Sequence, residues 1–233
     1  MSELTDQQTS FYRTFGFLRL EGLFRDRVAD LQAGFDEVFS NAESQFLDPA
    51  NPYHRARDPQ FSERTRELIS GFIDKSDKLS WIRDDPRVTS IASALLGDGY
   101  VYAESDGNIM NCDVLWHVDA YGALAQHEHI KLFFYLDPLH RDAGALRMIP
   151  GSHLTDSPFG KQLRKHLILD PDRGPEVYGI DLDQVPSWSL EVEPGDVIVG
   201  NFRTVHASFN GQAGRRLFTV NFGARAHESA DAA

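Results

Sequence analysis

Hydrophobic residues recur at helical spacing in the first part of the chain and at strand spacing in the second part. Four helices are predicted, at residues 3–14, from Arg25 to about Ser44, at 63–73, and at 85–96 with Gly97 closing the last. Between the first two helices, Phe17 to Leu23 alternates like a strand. From Tyr100 onward the alternation is that of β-structure. Helices followed by strands predict an α+β fold with helices packed on one face of a two-sheet barrel.

Three β-segments are predicted near the C-terminal end, at residues 194–201, 204–208 and 215–222. In the last of them, Leu217, Thr219 and Asn221 share one face with Arg215, whereas Arg216 lies on the apolar face. The apolar face suits packing against covering helices, so the more polar face should look into the barrel. The pattern therefore favours Arg215 over Arg216 as a cation inside the barrel.

The strand at residues 130–136 also has two different faces. Its even-numbered positions, Ile130 to Leu136, are apolar and should face the core. Lys131, Phe133 and Tyr135 form the mixed face, which we expect to border a cavity.

Composition limits the class of protein. A chain of 233 residues fits one domain, with a mainly helical part at 1–98 and a β-barrel core at 99–226. A net charge of −12 argues against nucleic acid as a partner, because the phosphate backbone requires a basic surface. No apolar run is long enough to span a membrane. The single cysteine, Cys112, gives no internal disulfide, so a cytoplasmic location is the default expectation.

Candidate metal ligands stand at two distant places in the chain. His117 and Asp119 are two residues apart, so on an extended segment they project to the same side. His206 is a third candidate, which a fold would have to bring up from a remote strand. Two imidazoles and one carboxylate are the ligand set of mononuclear iron(II) oxygenase sites, which keep open positions for a substrate and dioxygen.

The chain resembles the phytanoyl-CoA dioxygenase family of iron(II)- and 2-oxoglutarate-dependent oxygenases. Five segments carry the resemblance, at residues 16–23, 116–119, 144–153, 194–196 and 206–216. They span nearly the whole chain in the family's order. The resemblance implies a double-stranded β-helix, which is a jelly-roll or cupin-like barrel.

The resemblance also implies roles for individual residues. His117, Asp119 and His206 would hold iron(II), while Arg215 would bind the distal carboxylate of 2-oxoglutarate with Ser208 as a helper. The expected reaction consumes dioxygen, releases succinate and carbon dioxide, and hydroxylates or otherwise oxidises a small metabolite or natural-product intermediate. Related halogenases have a small residue in place of the acid, so the presence of Asp119 favours oxidation over halogenation.

Lys131, Tyr135 and Asn108 are weaker candidates for contacts with the co-substrate. His127 and His129 form a rival pair of metal ligands, although a place at the substrate entrance suits them better. His54, His140 and His166 are interpreted as surface residues. Loops at 47–62, 120–129 and 154–180 should determine substrate choice, and the tail from about His227 should be loose.

Two alternative functions remain open. One is a cupin-like isomerase or hydrolase that uses a metal without a keto acid, and such an enzyme would not need Arg215. The other is a non-catalytic binding barrel with a vestigial metal site. The sequence does not give the identity of the substrate or the oligomeric state.

Overall fold

Two antiparallel β-sheets face each other across a cavity in the computed structural model, which describes residues 3–46, 51–168, 176 and 179–225. The helices are α1 Asp6–Phe15, α2 Val28–Asn41, α3 Pro86–Leu96 and α4 Pro158–Leu163. The strands are β1 Phe17–Leu20, β2 Gln45–Phe46, β3 His54–Ala56, β4 Arg66–Ser70, β5 Val101–Met110, β6 Cys112–His117, β7 His129–Tyr135, β8 Leu146–Met148, β9 Trp188–Leu190, β10 Val197–Asn201, β11 His206–Ser208 and β12 Arg215–Gly223.

The larger sheet has the strand order β1-β10-β7-β12-β5-β4-β2, and the smaller sheet has the order β3-β6-β11-β8-β9. Neighbouring strands therefore come from distant parts of the chain, as in a double-stranded β-helix. This is the α+β architecture that the sequence predicts.

The main hydrophobic core lies between α1, α2 and α3 and the outer face of the larger sheet. Leu31, Phe35 and Val38 of α2 are almost fully buried there. Phe134 of β7 stacks on Phe218 of β12 in the same cluster, with ring centroids 4.6 Å apart. The outward strand positions are thus apolar, which leaves the inward positions free for polar side chains.

The smaller sheet is covered on its outside by a second cluster. Trp116 is fully buried in it, and its indole Nε1 donates a hydrogen bond of 2.8 Å to the carbonyl oxygen of Leu182. Both sheets therefore have a packed outer face. The cavity between their inner faces is where polar groups collect.

Three of the four predicted helices are confirmed as α1, α2 and α3, and Gly97 caps α3 as expected. The helix predicted at 63–73 is wrong, because residues Arg66–Ser70 form β4 and pair with β5. Adjacent apolar residues Leu68 and Ile69 suit either structure, and strand pairing outweighs the local pattern. The start of the predicted 47–62 loop, part of the 154–180 loop and the predicted loose tail lie outside the described residues.

Candidate metal centre

A β-bulge in β6 turns His117 into the cavity. His206 of β11 is opposite His117, but Ser208 is opposite Val114. Between these two pairs, β6 therefore advances by three residues while β11 advances by two. Strict alternation from Val114 would point Trp116 inward and His117 outward. The extra residue reverses this arrangement, so Trp116 packs outside and His117 faces the cavity.

The three candidate ligands converge on one point. Ligand atoms of His117, Asp119 and His206 all lie within 4.8 Å of one another. The two imidazole centroids are 4.1 Å apart, and Nε2 of His206 is 3.5 Å from Oδ2 of Asp119. Asp119 follows the end of β6, where its backbone N–H donates to the carbonyl oxygen of Phe202 and fixes the turn.

Both histidines are held in the tautomer that a metal requires. Nδ1 of His117 lies 2.8 Å from the carbonyl oxygen of Leu115, and Nδ1 of His206 lies 2.9 Å from that of Thr204. A carbonyl oxygen can only accept a hydrogen bond, so each Nδ1 carries the proton. Each Nε2 is therefore left with a free lone pair pointing into the site.

The charge states also suit a divalent metal ion. Burial lowers the pKa of His117 to about 3 and also lowers the pKa of His206, so both rings are neutral at pH 7. Burial alone would raise the pKa of the Asp119 carboxyl, but Lys131 and the two histidines outweigh it, and the pKa falls well below its usual range. Two neutral imidazoles and one carboxylate are thus ready to bind without losing protons.

Lys131 faces the cavity, as its position on β7 predicts. Its Nζ lies 2.9 Å from Oδ2 of Asp119 and 5.2 Å from the centroid of the Phe202 ring. The ammonium group thus orients the carboxylate.

Arg215 lies inside the cavity and Arg216 lies outside, as the alternation on β12 predicts. The Arg215 guanidinium donates hydrogen bonds to the carbonyl oxygens of Gln212 and Cys112, at 2.5 and 2.8 Å. A Cβ atom at Gly211 would lie 2.1 Å from Nη1 of Arg215, so glycine is needed there for the guanidinium to fit. The cation is buried and held, and it has no carboxylate partner among the described residues.

The three remaining candidates also line the cavity. Ser208 donates a hydrogen bond of 2.9 Å to the carbonyl oxygen of Gly144. Tyr135 is buried, and this burial raises the pKa of its hydroxyl, which therefore stays protonated. Asn108 accepts a hydrogen bond of 2.6 Å from Nε of Arg66.

Three titratable residues of the cavity, His54, Arg66 and Asp106, are not identified from the sequence. His54, which was expected at the surface, lines the cavity, and burial lowers its pKa to about 4. Arg66 was assigned to a helix, so its inward direction on β4 was missed. Asp106 stands two residues before Asn108 on β5, and alternation from Asn108 would have placed it on the same face.

The rival histidines do not join the site. His129 stacks its ring on Phe202, with centroids 5.1 Å apart, and His127 is exposed. Neither belongs to the lining of this cavity within the described ranges. Their expected place at the substrate entrance stays a prediction.

Within the part of the chain that the structure describes, no helix combines the length and the apolar character that crossing a membrane requires.

A family model described as phytanoyl-CoA dioxygenase (PhyH) matches residues 12–217 of this chain. No curated protein matches the sequence significantly.

Three solved structures illustrate the similarity of fold. The epimerase SnoN from nogalamycin biosynthesis, in complex with Fe3+, alpha ketoglutarate and nogalamycin RO, is 17% identical, with 94% of this chain and 83% of that chain covered and a TM-score of 0.67. HygX from Streptomyces hygroscopicus, with nickel, 2-oxoglutarate and hygromycin B bound, is 15% identical, with coverages of 96% and 88% and a TM-score of 0.69. EctD from S. alaskensis, with 2-oxoglutarate and 5-hydroxyectoine, is 19% identical, with coverages of 96% and 77% and a TM-score of 0.67.

Proposed function

This chain belongs to the phytanoyl-CoA dioxygenase family of iron(II)- and 2-oxoglutarate-dependent enzymes, and on that premise we propose that it oxidises a C–H bond of a small metabolite or natural-product intermediate. The products from the co-substrate would be succinate and carbon dioxide. One observation carries the proposal: a converged His117–Asp119–His206 triad shares a cavity with the buried cation Arg215, which makes no direct ion pair with a carboxylate among the described residues.

In this proposal the triad holds iron(II) through Nε2 of His117, Nε2 of His206 and a carboxylate oxygen of Asp119. The donor set fits the ion, since imidazole nitrogen and carboxylate oxygen suit iron and leave positions open. Lys131 keeps the Asp119 carboxylate oriented by binding its Oδ2. The backbone carbonyls of Leu115 and Thr204 keep the two rings fixed.

Arg215 would bind the distal carboxylate of 2-oxoglutarate. A planar guanidinium matches a carboxylate through two parallel hydrogen bonds, and burial strengthens such a pair. Ser208 and the protonated Tyr135 hydroxyl would add hydrogen bonds beside it. Asn108, which pairs in register with Leu217 of β12, would border the same ligand, and Lys131 would place a second positive charge near its keto-acid end.

Bound iron(II), with 2-oxoglutarate and dioxygen, would supply the oxidising equivalent for the C–H bond. The protein's own part is placement and exclusion of water. Phe133, whose ring lies 6.1 Å from that of His206, shields one side of the centre. Asp119 occupies the position that a halogenase leaves open for chloride, so oxidation is the expected outcome.

A metal-dependent isomerase or hydrolase without a keto acid would have no use for Arg215, and a vestigial binding barrel would not need the fixed histidine tautomers. The epimerase activity named for SnoN shows that related folds catalyse outcomes other than hydroxylation. Hydroxylation is our specific proposal for this chain. We also propose a small-molecule substrate rather than nucleic acid and a cytoplasmic location, from the charge of −12 and the single cysteine.

The test is anaerobic titration of the purified chain with iron(II) and 2-oxoglutarate, followed by exposure to air. We expect a weak visible charge-transfer band before air and succinate afterwards. His206→Ala should abolish both, whereas His140→Ala, which removes an exposed imidazole, should change neither. Succinate formation at the wild-type rate in His206→Ala would contradict the ligand assignment.

A further inference from the structure

The inner face of the larger sheet lines one side of the cavity. We divide this face into two lanes, one over β7 and the other over β5 and β4. β12 runs along the middle, with β7 on one side and β5 followed by β4 on the other. Leu217 of β12 pairs with Tyr135 on the β7 side and with Asn108 on the β5 side. Thr219 likewise pairs with both Phe133 and Asp106.

The metal triad and the co-substrate cation lie on the β7 side and the middle. Asp119 is bound to Lys131 of β7, and the ring of His206 contacts that of Phe133, also on β7. Arg215 is at the start of β12. A co-substrate that touches both the triad and Arg215 therefore extends over Phe133, Tyr135 and Leu217. The lane over β5 and β4 is left for another molecule.

The lane over β5 and β4 contains one cation, Arg66, and one anion, Asp106, whose side chains are not in direct contact. Arg66 of β4 donates through Nε to Oδ1 of Asn108, and Asp106 lies one inward position further along β5. Lys131 and, less strongly, Arg66 act on Asp106 through space, and Asp106 and Asp119 act in the same way on Arg66. Among the described residues, Arg66 and Asp106 form no direct ion pair. Two partly buried charges without a direct partner are costly unless a ligand compensates them.

We propose that the primary substrate is a small amino-acid-like zwitterion, whose carboxylate binds Arg66 and whose ammonium group binds Asp106. This inference rests on the proposed function, since it assigns the co-substrate to the other lane. Arg66 pairs with Met110 and Asp106 pairs with Ser70, so their backbones are four residues apart along the sheet. The Arg66 side chain reaches back to Asn108, whose inward position is about 7 Å from that of Asp106, so a ligand with two charged groups a few bonds apart can lie between them. His54 faces the same lane from β3 of the opposite sheet and adds a neutral imidazole.

A ligand with a single charge fits this lane less well. A plain carboxylic acid would satisfy Arg66 but bring its negative charge close to Asp106. A plain amine would satisfy Asp106 but leave Arg66 without a partner. Burial raises the pKa of the Asp106 carboxyl, which is the penalty that a bound ammonium group would relieve.

The experiment measures ligand binding by calorimetry, using the full chain loaded with nickel(II) and 2-oxoglutarate. The probes are the twenty common L-amino acids and, for each one that binds, the amine without its carboxylate and the acid without its amino group. We expect at least one amino acid to bind and both truncated counterparts to bind roughly ten- to a hundredfold more weakly.

Two variants test the residue assignments. Asp106→Asn should weaken binding of the amino acid by roughly ten- to a hundredfold and bring its affinity close to that of the deaminated acid. Arg66→Gln should also weaken binding of the amino acid by roughly ten- to a hundredfold, and it should bring the affinity close to that of the decarboxylated amine. Arg64→Gln and Glu63→Gln change the same charges at exposed positions just before β4 and should bind like the wild type. Arg66→Lys keeps the charge and should bind at an intermediate level.

The outcomes separate this inference from the proposed function. If nickel(II) and 2-oxoglutarate bind but no amino acid does, the substrate inference is wrong and the oxygenase proposal stands. The same holds if neither variant changes how much more tightly the amino acid binds than the amine and the acid derived from it. If Arg66→Gln weakens 2-oxoglutarate as much as Arg215→Ala does, Arg66 belongs to the co-substrate and the inference is likewise wrong. If 2-oxoglutarate does not bind the wild type, the proposed function itself fails.

Discussion

At the scale of single residues, the two adjacent arginines of β12 show how much one position along a strand decides. Arg215 is enclosed by the barrel, whereas Arg216 forms surface ion pairs with Asp137 and Asp36, at 2.8 and 3.1 Å. The two side chains have the same chemistry and differ in the face on which they lie. Alternation alone was enough to predict which one faces the cavity.

Replacing these arginines in turn tests the assignment of the co-substrate. Arg215→Ala should raise the 2-oxoglutarate concentration for half-maximal succinate formation by roughly ten- to a hundredfold, because it removes a buried charge-assisted pair. Arg216→Ala should leave that concentration unchanged and cost at most about 1 kcal/mol of stability. The measurement is succinate formation at varied 2-oxoglutarate. Equal shifts in both variants would contradict the assignment.

His54 illustrates what the sequence could not show at this scale. The chain around it, with prolines at 49, 52 and 59, suggests a loop, and nothing local indicates that β3 pairs with β6. Its burial follows from that long-range pairing alone. The metal triad was easier to predict, because the chemistry of the three side chains is specific even when their separation in sequence is large.

The partly buried imidazole of His54 should make stability depend on pH. Its pKa is about 4 in the folded chain and about 6.5 when unfolded, so between these values only the unfolded chain binds the proton. The free energy of unfolding should therefore fall as the pH drops from 6.5 to 4, with this residue contributing roughly 3 kcal/mol at most. His54→Gln should remove that contribution.

Urea unfolding at pH 7 and pH 4.5 measures the effect as a difference between the variant and the wild type. His140→Gln makes the same exchange at an exposed site and should retain the wild-type pH dependence. A His54→Gln variant that loses as much stability on acidification as the wild type would show that the imidazole is not buried as described.

At the scale of elements, irregularities of the strands build the site. The bulge in β6 brings His117 inward. No periodic pattern in residues 112–117 predicts this bulge, because a bulge is defined by the register with the neighbouring strand β11. The same limit explains the error at residues 63–73. Arg66, Leu68 and Ser70 alternate correctly for an inward face, but the pairing with β5 that makes them a strand is a property of the fold.

The turn before β12 shapes the proposed co-substrate site. Gly211 leaves the space that the Arg215 guanidinium fills, since an added Cβ would lie 2.1 Å from Nη1. In Gly211→Ala the guanidinium must therefore swing away, and we expect the 2-oxoglutarate requirement to rise about tenfold with less than about 1 kcal/mol lost in stability. Succinate assays and thermal melts measure the two effects.

Gly99→Ala is the matched control for this turn. An added Cβ at Gly99 would have its nearest neighbour at 3.8 Å, which is an ordinary contact. This variant should keep the wild-type 2-oxoglutarate requirement. A Gly211→Ala enzyme with unchanged co-substrate requirement would show that Arg215 tolerates the extra methyl group without moving.

At the scale of the whole molecule, ligands should stabilise the fold because the site joins both sheets. His117 and His206 come from the smaller sheet, Arg215 from the larger one, and the turn carrying Asp119 is bound to Lys131 of the larger sheet. Nickel(II) and 2-oxoglutarate that bind only the folded chain, at about a hundred times the dissociation constant, should add about 2.7 kcal/mol. For a chain of this size the melting temperature should rise by roughly 5–10 °C.

His206→Ala should lose this rise in melting temperature, whereas His140→Ala should keep it. A rise that persists in His206→Ala would mean that the ligands bind elsewhere.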